Sequence, residues 1–181
     1  MRTIVFTAAA ALAASCATAK DATTQQAQTT PPPPCQSEIY HAFDFWLGEW
    51  EVFGPKDAKA GDNSITRQEY GCLLLEKWVN TGGQTGQSYN FYDLTTDKWR
   101  QIWVSAGAVI DYSGGLNENG AMVLEGTIGY PNGLKAPFKG TWTLNEDGTV
   151  TQYFQQYNAK TEEWDDWFTG TYKKKEETAA E

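Results

Sequence analysis

From Tyr40 to Tyr172, runs rich in β-branched and aromatic residues alternate with clusters of turn formers at intervals of about ten residues. No stretch between them has the 3.6-residue period or the length of a crossover helix. The pattern predicts ten strands: Glu49–Phe53, Ser64–Tyr70, Leu73–Asn80, Ser88–Tyr92, Lys98–Ser105, Val109–Ser113, Met122–Ile128, Pro137–Leu144, Val150–Tyr157 and Asp166–Tyr172. Asn117-Glu118-Asn119-Gly120 and Asn145-Glu146-Asp147-Gly148 read as tight hairpin turns in which glycine supplies the positive φ. Leu94–Asp97 and Asn158–Thr161 join further pairs. Ten strands linked by hairpins make an antiparallel meander, and closing it removes the exposed edges. The expected fold is an all-β up-and-down barrel over residues 37–173, with a two-sheet sandwich as the alternative.

The N-terminal stretch has another pattern. Arg2 precedes an apolar run, Ile4–Ala14, broken only by Thr7 and of signal-sequence length. A signal peptide over residues 1–19 is expected, with two possible exits. Leu12-Ala13-Ala14-Ser15-Cys16 resembles a bacterial lipoprotein box with Cys16 as the lipidated residue; Ala17-Thr18-Ala19 is an A-x-A site that would release a soluble chain at Lys20. Ala17 after Cys16, rather than Asp, points to the outer membrane in a Gram-negative host. Residues 20–36 are Thr, Gln and Pro-rich and end in Pro31–Pro34, which reads as an extended, disordered tether. The mixed-charge residues 174–181 read as a disordered tail.

Composition narrows the partners. Among 181 residues, 14 Lys and Arg against 23 Asp and Glu leave a formal net charge of −9, a poor match to a nucleic-acid backbone. A single histidine removes most histidine-built metal sites. All eight Trp, and every other aromatic except Phe6, fall between Tyr40 and Tyr172. With Cys16 set aside, Cys35 and Cys72 form an even pair, a disulfide candidate in an oxidising compartment. The alternative is a buried Cys72 and a free Cys35.

Phe43-Asp44-Phe45-Trp46-Leu47-Gly48-Glu49-Trp50 is a short helical turn feeding the first strand through G-x-W. It resembles the opening of lipocalin-like (calycin) barrels, whose G-x-W tryptophan closes one barrel end. The longer string resembles that of a bacterial group of exported barrels of unknown function. That group also tends to show a cysteine before the string, a GC-x-LLE-x-W element and a KW-x-Q-x-W element. Here these are Cys35, Gly71–Trp78 and Lys98–Trp103. The resemblance implies a fold, with Phe43, Trp46, Gly48 and Trp50 as the closing motif, and strengthens the case for a Cys35–Cys72 bridge. It implies no particular activity.

Strand side chains alternate faces, so parity yields candidate lumen sets. One set joins Glu76 and Trp78, Ser88, Asn90 and Tyr92, and Trp99, Gln101 and Trp103, with Gln152, Phe154 and Gln156 extending it. Aromatic walls with a few amide and carboxyl groups suit a ligand cavity. Glu76, Trp78, Asn90, Trp99, Gln101, Trp103 and Gln152 are therefore expected to face a small, partly apolar molecule. The alternative is a solid-packed barrel with Glu76 outside, paired to Arg67 or Lys98, and a protein partner met through Trp164 and Trp167. A third reading is a hydrolase using Glu69 and Glu76. No cofactor is expected. Haem is disfavoured because His41 lies in the lead-in rather than on a late strand. Thr81–Gly86 lacks the Lys and helix of a phosphate loop. The acidic run Glu162–Trp167 lacks the Gly bend of a calcium loop. Membrane contact is expected only through the lipid anchor.

Overall fold

The computed structural model describes residues 31–176; the predicted signal peptide, Cys16 and most of the tether lie outside them, as do residues 177–181. Ten strands run in chain order: β1 (Gly48–Phe53), β2 (Lys59–Gln68), β3 (Leu73–Asn80), β4 (Thr85–Asp93), β5 (Lys98–Ser105), β6 (Ala108–Leu116), β7 (Met122–Gly129), β8 (Lys135–Leu144), β9 (Val150–Asn158) and β10 (Glu163–Lys174). Each pairs antiparallel with its neighbours in sequence, and β1 pairs with β10 to close a barrel. The sandwich alternative is thereby excluded.

The turns work as their side chains dictate. Asn117 Oδ1 accepts the backbone N–H groups of Asn119 and Ala121, both at 3.0 Å, and Gly120 sits at φ 77°. Asp147 Oδ1 accepts the Thr149 N–H at 3.0 Å, with Gly148 at φ 80°.

Several strands exceed their predicted bounds. β2 starts at Lys59 rather than Ser64, because Gly61-Asp62-Asn63, turn formers by composition, pair on one side with β1 and on the other with β3. Tertiary pairing overrides local preference here. Tyr70, expected at the end of this strand, instead lies in the 3₁₀ turn Glu69–Gly71. β10 starts at Glu163 and continues through Lys174, the first residue of the expected tail, which pairs with Trp50; Lys175 then donates its N–H to the Glu49 carbonyl at 2.9 Å.

One barrel end is closed by chain that precedes the strands. Two 3₁₀ turns, Glu38–His41 and Asp44–Trp46, fold inward and place Phe43 and Trp46 at zero exposure. The Phe43 and Trp46 rings stack at 5.0 Å, and Trp99 and Trp142 meet Phe43 edge-on at 5.8 and 5.3 Å. Trp50 Nε1 donates to the Trp46 carbonyl at 2.9 Å, and Trp99 Nε1 to that of Ile39 at 3.0 Å. Asp44 accepts from Arg67 of β2, so the lead-in is also pinned by charge. A Cys35–Cys72 disulfide, with Cα atoms 5.2 Å apart, fastens the lead-in just before β3. It closes a loop spanning 37 residues, which contributes about 3–4 kcal/mol on the chain-entropy account.

Candidate functional site

At the other end a cavity of about 230 Å³ remains open among the strand side chains. Its upper wall is aromatic: Trp78 of β3, Trp103 of β5, Phe154 of β9, and Trp167 and Phe168 of β10. Two glycines make room for the largest rings. A Cβ on Gly61 would lie 2.7 Å from the Trp78 ring and one on Gly86 only 2.2 Å from that of Trp103, so both indoles lie across bare backbone.

The floor is polar and continuous. Glu76 is 3% exposed. Its Oε1 accepts from Asn63 Nδ2 at 2.7 Å, and its Oε2 from Ser88 Oγ at 2.5 Å. Asn90 Nδ2 donates to Ser88 Oγ at 2.8 Å, Gln101 Nε2 donates to Asn90 Oδ1, and the Tyr112 hydroxyl donates to Gln101 Oε1. In the other direction Asn63 Nδ2 also donates to the Tyr172 hydroxyl at 3.1 Å, which donates to Gln152 Oε1 at 3.1 Å. This belt joins side chains of seven strands beneath the aromatic wall. Among its fully buried side-chain atoms, Asn63 Oδ1 has no partner.

Among the described residues Glu76 is the single ionisable carboxyl on the cavity wall, and its hydrogen bonds come from neutral donors. Burial away from water pushes its carboxyl up to about 7, against the two donated hydrogen bonds, which favour the charged form. The Tyr112 and Tyr172 hydroxyls are held well above the ordinary range, chiefly by burial and then by the neighbouring Glu76 charge. They stay neutral at any physiological pH.

The strands carry Glu76, Trp78, Gln101, Trp103 and Gln152 to the cavity wall. Asn90 and Trp99 are also inward but do not reach it: Asn90 is buried within the belt, and Trp99 belongs to the aromatic plug at the closed end. The two-carboxylate arrangement is not assembled. Glu69 is exposed in a 3₁₀ turn after β2, while Glu76 is buried on the lumen side. Arg67 pairs with Asp44, and Glu76 has no cationic partner among the described residues. His41 is an exposed lead-in residue hydrogen-bonded to Asp44 at 2.8 Å. No family model matches the chain, and no curated protein does.

Several contributors were not legible as site residues, Tyr112 and Phe168 among them, and three show why. Asn63 lies in a stretch that reads locally as a turn. Tyr172 ends the last predicted strand, and nothing in its immediate sequence marks it as Glu76's neighbour. Trp167 reads as an exposed partner contact. It is 49% exposed, yet its ring packs edge-on against Phe138 at 5.4 Å and lines the cavity mouth. The register of β10 shifts between Asp166 and Phe168, leaving Trp167 as the extra residue of a bulge and freeing it from strand parity. Trp164 instead lies against Tyr157 and under the Lys139 ammonium, outside this site.

Proposed function

We propose that the chain is an exported, lipid-anchored, lipocalin-like barrel that holds a small, partly apolar molecule in its lumen. The observation that carries this reading is the contrast within one barrel: a plugged end, and an aromatic cavity of about 230 Å³ floored by oriented polar groups at the other. Preformed pockets with apolar walls and few polar groups are the usual form of small-molecule sites. Benzene occupies an apolar cavity of about 150 Å³ in another protein, so the volume suits a ligand of one ring with substituents.

The calycin likeness rests on the FDFWLGEW opening, whose Trp46 and Trp50 lie in the plug, together with the closed antiparallel barrel. Export and anchoring rest on Arg2, the Ile4–Ala14 run, Cys16 and the proline-rich tether. A periplasmic address at the outer membrane follows from the same residues, and a Cys35–Cys72 disulfide suits an oxidising compartment.

Native mass spectrometry of the exported chain tests the reading. A reproducible excess mass that disappears on denaturation is the expected result. A bare mass, with no tryptophan fluorescence response to a panel of small aromatic and aliphatic compounds, would overturn it and favour a barrel that works through its outer surface.

A further inference from the structure

We propose that the lumen ligand is a small organic cation, an ammonium group on an apolar body, with the Glu76 carboxylate as its counter-ion. This rests on the reading of the lumen as a ligand site and adds the charge of what fills it.

Glu76 is a carboxylate removed from water and given no cation by the described residues. Its two oxygens accept from Asn63 and Ser88, and each keeps further acceptor capacity. Two indoles share the cavity wall with Glu76. Trp78 is the next inward residue on β3, and Trp103 lies on the same cross-strand row through the pairs Glu76–Ser88 and Ser88–Trp103. Tryptophan is the best of the aromatic partners for a cation. Among the described residues no Lys, Arg or His lines the cavity, so an anionic head would find no partner there and would face Glu76. A net charge of −9 favours the approach of cations from solution. The burial that raises the Glu76 pKa is what a bound ammonium group would offset.

Phenyltrimethylammonium and tert-butylbenzene share a shape and differ by one charge. Calorimetry and tryptophan fluorescence with the purified full chain at pH 8 should show the cation binding at least tenfold more tightly. In Glu76→Gln that ratio should fall to near one while tert-butylbenzene is still bound.

In the native protein the cation's affinity should also rise about tenfold between pH 6 and pH 8 as Glu76 ionises, with the hydrocarbon's unchanged. This arm needs no variant. The side chains facing Glu76 are Asn63 of β2, Ser88 of β4, Gln101 of β5, Tyr112 of β6, Gln152 of β9 and Tyr172 of β10. None of them changes charge in that range.

Equal affinities, or a preference for the hydrocarbon, overturn the cation and leave the lumen site standing. A preference for the cation that survives unchanged in Glu76→Gln overturns the role of Glu76 as counter-ion. Binding of neither probe, by heat or fluorescence, overturns the lumen site and the cation with it.

Discussion

The two ends of this barrel use the same residue type to opposite effect. At the closed end Trp46, Trp50, Trp99 and Trp142 are at most 3% exposed and pack ring against ring. At the open end Trp78 and Trp103 are only half-buried, Trp167 is half-exposed, and a cavity lies between them. Strand composition does not explain the difference, since each end draws large aromatics from several strands. The closed end has an additional piece of chain: the lead-in inserts Phe43 and Trp46 where the strands alone would leave a hole. At the open end the connections are short turns, such as Thr81–Gln84. A ten-stranded barrel is too wide for its own side chains to fill, so whichever end lacks a plug retains a cavity.

The greatest loss should come at the plug. Trp46→Ala removes a ring packed against Phe43, Trp142 and Tyr172, and should cost about 3–5 kcal/mol of unfolding free energy by urea titration. A loss below about 1 kcal/mol would mean that the strands support the closed end without the lead-in.

Next comes the polar floor. Glu76 has an ordinary carboxyl pKa of 4.5 unfolded and about 7 folded. Its contribution to stability is thus greatest below pH 4.5 and is lost as pH rises through 7. The difference corresponds to about 3 kcal/mol between pH 4 and pH 8. Glu76→Gln should flatten that part of the stability–pH curve, and an unaltered slope in the variant would assign the dependence to other groups.

The smallest effect is expected at the mouth. Trp167→Ala takes away a half-exposed ring in a bulge and should change stability by no more than about 1 kcal/mol, while weakening phenyltrimethylammonium binding severalfold. A stability loss as large as that of Trp46→Ala would erase the distinction between the two ends.

The site was partly legible in advance because strand parity is a local rule. Glu76 and Trp78, or Gln101 and Trp103, share a face wherever their strand is regular. The rule cannot say how deep an inward residue sits, which is why Trp99 reads like Trp103 although one fills the plug and the other lines the cavity. It also fails where a bulge resets the register, as at Trp167, and where turn formers are drawn into a strand, as at Asn63.

The all-β class, the antiparallel hairpin order and the inward face of each regular strand are written in local sequence. Turn chemistry and a two-residue period are properties of neighbouring residues. The closure expected of the meander is borne out by the β1–β10 pairing. Packing across the barrel sets how deep each inward residue sits, seats Phe43 and Trp46 in one end, and assembles the hydrogen-bond belt, which brings Tyr172 to Asn63 across 109 positions of chain. The lone charge of Glu76 acquires its meaning there, because burial and the lack of a cationic partner depend on everything packed around it.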